Sequence, residues 1–254
     1  MRVELLPSSI GSAGMLQFSL SVLINDYTAI DAGTIGCVGP LERQQLIRDV
    51  FLSHSHLDHI ASLPFFLDNV YRPVPECPRI LASAATFESL RRDIFNDRIW
   101  PDFVRLSREE TPFLRLQELR EEESVNSCGL QVTPVQLRHP VPTLGFLVDD
   151  GAGCVAFITD TLPTERVWEL LSQRRNLRAV FLECSFPASS GWLAEKSGHL
   201  CSRTFAEELR HIPAEIPVFA WHLKPVFFEE IATELQRLQR PGLTIAEPGR
   251  VYVF

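Results

Sequence analysis

The apolar positions of this chain fall into many short runs separated by turn formers, and most runs are of strand length rather than helix length. Residues 3–6 read as a strand, and 7–14 as a loop of proline, serine and glycine. Residues 17–24 and 28–30 read as a hairpin closed near Asn25-Asp26, and 41–47 has helical spacing. Val50-Phe51-Leu52 is a short buried strand. Residues 60–67 predict a helix with Phe65 and Phe66 in the core, 79–82 a strand, and 84–95 a helix. Residues 100–123 give no clear element, and Glu121-Glu122-Glu123 reads as a solvated face. Residues 130–137 alternate as a strand. Residues 144–148 and 154–158 pair across the Asp149-Asp150-Gly151 turn. Thr164 is placed to cap a helix over 165–172. Strands at 179–182, 218–221, 243–246 and 251–253 then alternate with helices at 202–209 and 227–238.

Strands followed by helices in both halves predict an α/β architecture, two sheets packed face to face with helices outside. No linker, repeat or low-complexity tract interrupts the 254 residues, so one domain over 1–254 is expected. A hydrophobic content of 45% with 22% charged residues is that of a globular protein with a real core. The 24 basic and 32 acidic residues leave a net charge of −8, which argues against an extended nucleic-acid partner. Six scattered cysteines without a C-x-x-C read as mostly buried free thiols in a reducing compartment. No apolar run is long enough to span a membrane, and a cytoplasmic location is expected.

The chemistry concentrates in Phe51-Leu-Ser-His54-Ser-His56-Leu-Asp58-His59, directly after a buried strand. In an extended segment alternate side chains share a face, so His54 and His56 can grip one ion together. Asp58 and His59 fall where a helix should begin and can face a second. Imidazole and carboxylate in this density suit zinc, with manganese or iron as alternatives. His139, Asp160 and His222 each follow a strand-like run, which brings them to sheet edges. Asp31, in Asp31-Ala-Gly33, reads as a turn cap or as an acceptor for a ligand histidine's other N–H. His211 reads as a helix-end residue.

The His-x-His-x-Asp-His pattern resembles the signature of the metallo-β-lactamase superfamily, an αββα four-layer sandwich. That resemblance implies two metals: His54, His56 and His139 on one, Asp58, His59 and His222 on the other, and Asp160 bridging them. Thr159-Asp160-Thr161, Glu183-Cys184-Ser185-Phe186-Pro187, Gly198-His199-Leu200 and His222-Leu-Lys224-Pro225 further resemble class II cyclic nucleotide phosphodiesterases. In that family a hydroxide held between two divalent ions attacks phosphorus in line with O3′ of cyclic AMP or cyclic GMP, giving the 5′-monophosphate. Asp58, Asp160 and His199 are then the catalytic candidates, with His199 supplying a proton to the departing oxygen. Glu183 orients a ligand or His199, and Lys224 attracts the anionic diester. The partner implied is a small phosphodiester, and a homodimer is left open.

Cys201-Ser202 follows Gly-His-Leu here where Thr-Pro is common in the family. Arg138-His139-Pro140 also looks similar to the matching stretch of tRNA 3′-processing endonucleases, the main alternative reading. That activity needs a basic arm for the RNA body, and none is evident. A hydrolase of carboxyl esters, lactones or thioesters and a non-catalytic metal-binding module complete the alternatives.

Overall fold

The structure, a computed structural model, describes residues 1–8, 16–109 and 111–254. From residue 9 onward the loop expected over 7–14 lies outside them. Two sheets dominate. The first is built from β1 (Arg2–Leu5), β2 (Val22–Ile24), β3 (Thr28–Ile30), β4 (Asp49–Phe51), β5 (Arg79–Ala82) and β6 (Arg115–Glu118). The second holds β7 (Val125–Ser127), β8 (Leu130–Leu137), β9 (Thr143–Asp149), β10 (Cys154–Ile158), β11 (Leu177–Glu183), β12 (Val218–Trp221) and β13 (Leu243–Ile245). The last strand, β14 (Val251–Val253), returns to the first sheet and pairs with β1, so the orders are β14-β1-β2-β3-β4-β5-β6 and β13-β12-β11-β10-β9-β8-β7.

Each sheet is half antiparallel and half parallel. The change comes at β3 in the first sheet and at β10 in the second. A parallel neighbour requires a crossover, and helices supply it. In the first sheet these are α1 (Leu41–Gln44), α2 (Leu57–Ile60), α3 (Leu63–Val70), α4 (Ala84–Ser89) and α5 (Phe103–Glu109). In the second they are α6 (Arg166–Ser172), α7 (Gly191–Ser197), α8 (Ser202–Glu208) and α9 (Phe228–Arg237).

The period-two pattern decides which side chain goes to which layer. Phe51 of β4, Phe146 of β9, Phe157 of β10, Phe181 of β11 and Trp221 of β12 meet between the sheets. Their sequence neighbours Val50, Leu147, Ala156, Ile158, Val180 and Leu182 point outward. Val50 packs under α3 and α4, and the rest lie with the apolar faces of α6, α8 and α9. The result is the αββα sandwich expected from the sequence.

Several local expectations are corrected. The helix expected over 60–67 is broken into α2 and α3 at Ser62. Its N–H and hydroxyl bond to the Ala32 carbonyl (2.9 and 2.7 Å), and its Oγ accepts from Gly36 N–H at 3.0 Å. Phe66 is fully buried, but Phe65 is 47% exposed and packs edge-on against Trp100. The helix over 84–95 ends at Ser89 and widens into a π-helical turn at Leu90–Ile94. Thr164 does not cap α6. Its N–H is drawn instead to the buried Glu208 carboxylate at 3.3 Å. Within 100–123 the chain forms α5 and β6, and α7 was not foreseen. Of the free cysteines only Cys154, Cys184 and Cys201 are buried, whereas Cys37 and Cys128 are exposed.

Candidate metal centre

The carboxyl ends of the strands gather the polar side chains, at the place where each sheet changes from antiparallel to parallel. Asp31 follows β3, His54 and His56 follow β4, and α2 carries Asp58 and His59. His139 follows β8, Asp160 follows β10, Glu183 ends β11, and His222 follows β12. Asp31 and His222 both adopt left-handed backbone (φ 60 for each), a costly conformation outside glycine that turns these side chains back across the strand ends.

Asp160 lies at the middle of the cluster. Its Oδ2 is 3.5 Å from His54 Nε2, 3.3 Å from His59 Nε2 and 3.9 Å from His139 Nε2. Its Oδ1 is 3.5 Å from His222 Nε2. His56 Nδ1 is 3.1 Å from His139 Nε2, and Asp58 Oδ2 is 3.3 Å from His222 Nε2. Three sets of donor atoms lie within metal-sharing reach: His54, His56, His139 and Asp160; Asp58, His59 and His222; and Asp160, His199 and His222.

The hydrogen bonds behind the rings fix where the protons sit. Ser53 Oγ donates to Asp31 Oδ2 at 2.8 Å, so it accepts from His54 Nδ1–H at 2.9 Å. Asp31 Oδ2 also accepts from His59 Nδ1–H at 2.7 Å. Ser185 Oγ donates to Glu183 Oε2 at 2.9 Å and so accepts from His222 Nδ1–H at 3.1 Å. The Gly198 carbonyl accepts from His139 Nδ1–H at 2.8 Å. With every Nδ1 proton committed outward, the Nε2 lone pairs of these four rings face inward. His59 Nε2 and His222 Nε2 approach to 3.2 Å, a contact that either a proton on His59 or a shared cation satisfies. His54 Nε2 and Asp160 Oδ1 are buried without a hydrogen-bond partner. Buried acceptors without donors are expensive, and a cation among them removes the cost. The donor set therefore fits divalent metal.

The electrostatics agree. Burial, together with neighbouring imidazoles, holds His54 well below the usual histidine range. Burial likewise lowers His56 and His139 despite the Asp160 charge, which leaves these rings neutral as ligands must be. Burial alone would raise Asp58 and Asp160. For Asp58 the His222 hydrogen bond and the His59 and Lys224 charges outweigh it, and for Asp160 the His222, His59 and His54 contacts do, so both carboxyls sit low. His59 is the exception. Burial opposes its charge, but the flanking Asp160 and Asp31 carboxylates hold its pKa well above the usual range. A proton and a cation compete for its Nε2.

The remaining expected residues come to the same place. His199 is buried, with Nδ1 3.0 Å from Glu183 Oε1 and Nε2 4.0 Å from Asp160 Oδ2. Burial lowers the His199 pKa, but the Glu183 carboxylate more than offsets this, and the ring is raised overall. Glu183 also accepts from the N–H groups of Thr161, Leu200 and Ser185. Lys224 Nζ pairs with Asp58 Oδ2 at 3.6 Å. His211 stays outside the cluster and stacks on Trp168.

The motifs of the sequence contain Ser185 and Gly198 without assigning them a role, and Ser53 and Gln17 carry no site expectation at all. Gln17 Oε1 accepts the His222 N–H at 3.0 Å and so secures its left-handed backbone. A serine directly before His54 and another two residues after Glu183 were the available signals for Ser53 and Ser185. Nothing local marks Gln17, which lies 205 residues from its partner.

Residues 34–220 match the family described as the beta-lactamase superfamily domain. A protein of Yersinia pestis named as a probable 3′,5′-cyclic-nucleotide phosphodiesterase is 27% identical over 245 residues, 82% of this chain and 68% of the relative. The 3′,5′-cyclic-nucleotide phosphodiesterase 1 of Saccharomyces cerevisiae is 26% identical over 194 residues, 66% of this chain but only 51% of its own length. The crystal structure of unliganded yeast PDE1 superposes with a TM-score of 0.77 at 18% identity, covering 100% of this chain and 99% of that one. The metallo-β-lactamase fold protein YhfI of Bacillus subtilis gives 0.73 at 18% identity, over 99% and 98%. At such identities these two matches speak for the fold. With the family match spanning most of the chain, the protein belongs to the β-lactamase superfamily.

Proposed function

We propose that this protein is a metal-dependent phosphodiesterase that opens the 3′ ester of a 3′,5′-cyclic nucleotide and releases the 5′-monophosphate. His54, His56 and His139 would hold one divalent ion, Asp58, His59 and His222 a second, and Asp160 would be shared. Zinc is the first candidate, with manganese or iron as alternatives. Divalent ions in such a site supply Lewis acidity, lowering the pKa of water and neutralising charge on phosphoryl oxygens.

The chain's own residues do the rest. The reading is carried by His199, an imidazole at the edge of the donor set, braced through Nδ1 by Glu183 with Nε2 turned toward Asp160. A departing alkoxide needs a proton, and we assign that role to His199 Nε2. Glu183 fixes that ring and, through Ser185, the ring of His222. Lys224, beside Asp58, adds positive charge for an anionic diester. The names of the Yersinia and Saccharomyces relatives support the same substrate class.

Purified protein should contain two divalent ions per chain. It should hydrolyse bis-(p-nitrophenyl) phosphate and a cyclic nucleotide in a panel of cyclic AMP, cyclic GMP, 2′,3′-cyclic nucleotides and a tRNA precursor. His199→Ala should keep both ions and lose about a hundredfold or more in kcat. Loss of metal in that variant would make His199 a ligand instead. Turnover of carboxyl esters with no diester hydrolysis would sink the proposal.

A further inference from the structure

Beside the metal centre lies a cavity of about 240 Å³ that shares His199 with it. Arg138, Leu162 and Pro163 line one side, and α7 and the start of α8 line the other with Ala194, Glu195 and Arg203. The cavity is tied to the centre by chain connectivity. Arg138 immediately precedes His139, and Leu162 lies two residues beyond Asp160. Leu162 N–H also bonds the Arg138 carbonyl at 2.7 Å, closing that wall.

Arg138, Glu195 and Arg203 stand exposed at its rim. Among the described residues no carboxylate pairs with Arg138 or Arg203, and no cation pairs with Glu195. Arg138 spends one N–H on the Pro163 carbonyl at 2.8 Å. A chain with net charge −8 thus holds two free guanidiniums beside a site for an anionic substrate. The size suits one planar heterocycle on an apolar wall, since pockets for whole drug-sized ligands are larger.

We propose that this cavity receives the base of the nucleotide, and that Arg203, with Arg138, and Glu195 select guanine. The proposal rests on the cyclic-nucleotide reading given above. Guanine presents two adjacent acceptors, O6 and N7, which a guanidinium engages with paired N–H donors. Its N1–H and N2–H₂ are donors that a carboxylate accepts. Adenine carries an N6 amino donor where guanine has O6, so it would set donor against donor at the arginine. Arg203 and Glu195 are therefore specificity-determining residues, separate from the metal donors.

The test uses zinc-loaded full-length protein and two readouts. Calorimetric titration with guanosine and adenosine 5′-monophosphates should give about tenfold or tighter binding of the guanine nucleotide, as one good bidentate contact provides. The preference should fall to near unity in Arg203→Met and weaken in Glu195→Gln, with metal content unchanged. In steady-state assays Arg203→Met should raise KM for cyclic GMP about tenfold or more while kcat changes little. Equal affinity for the two monophosphates in the wild type, or a preference untouched by both substitutions, overturns the base site. If cyclic nucleotides are hydrolysed and no base preference exists, the proposed function stands and the base site falls. If guanine-selective binding appears without hydrolysis, the base site stands and the proposed activity falls.

Discussion

Asp31 is the residue on which most of the first half of the centre leans. Its two carboxylate oxygens take the Ser53 N–H and hydroxyl and the His59 Nδ1–H, and through Ser53 they also brace His54. Asp31→Ala should weaken metal binding by about 10–100-fold, as loss of such supporting acceptors does, read by titration with zinc against a competing chelator. Gln17 allows a sharper comparison. Gln17→Leu removes the acceptor for the His222 N–H and should cost affinity at the Asp58, His59 and His222 site. Gln17→Glu keeps an acceptor oxygen and should retain it. Equal metal content in all three proteins would dismiss Gln17 as a positioning residue. Gly198 is constrained from two directions. Its φ of +80 disfavours any side chain, and a Cβ there would lie 2.2 Å from Pro140 Cδ and 2.8 Å from His139 Nδ1. Gly198→Ala should displace His139, lowering occupancy of the His54, His56 and His139 site in direct metal analysis.

At the scale of elements, the strands hold the donors by burying large side chains directly beneath them. Trp221, the residue before His222, is 1% exposed and donates Nε1–H to the Ile158 carbonyl at 2.9 Å. Ile158 is itself two residues before Asp160, so one indole braces two strands that deliver donors. Trp221→Ala should destabilise the fold by about 3–5 kcal/mol through the cavity it leaves, read from denaturant midpoints, and should loosen His222 and Asp160 together. Strands were legible because alternation survives where one face meets the partner sheet and the other a helix. β8, β10 and β12 follow their apolar runs to the residue or nearly so. Helix details were less so. Whether 60–67 forms one helix or two is decided by Ser62 bonding to Ala32, a partner 30 residues away. Likewise Thr164 loses its capping role to Glu208, 44 residues on.

For the whole molecule, the two sheets are held in register by chain exchange, since β14 returns from the second half to pair with β1. The centre spans both sheets, so a ligand that bridges it should stabilise the assembled sandwich. Metal at a hundredfold excess over its Kd contributes about 2.7 kcal/mol, and stripping with chelator should lower Tm accordingly. The sign of the pH effect follows from competition. Imidazole ligands bind metal only when neutral. His59, raised by the Asp160 and Asp31 carboxylates, takes a proton first, so affinity is full above its raised range and falls as pH drops through it. His54, His56 and His139, held low by burial, stay neutral to lower pH. Affinity that does not fall as pH is lowered from the alkaline side through the neutral range would exclude His59 as a ligand.

By itself the sequence determined the layers, through periodic burial, and nominated the donors, because histidine and aspartate in that density have few uses other than metal. It could not determine which nitrogen of each ring faces inward. That choice belongs to Ser53, which adjoins His54 in the chain, and to Asp31, Ser185 and the Gly198 carbonyl, which meet His59, His222 and His139 only through folding. The left-handed turn at His222 and its support from Gln17 were likewise decided by the tertiary structure. Hydrogen bonds of that kind form between groups brought together from opposite ends of the chain, and no local pattern encodes them.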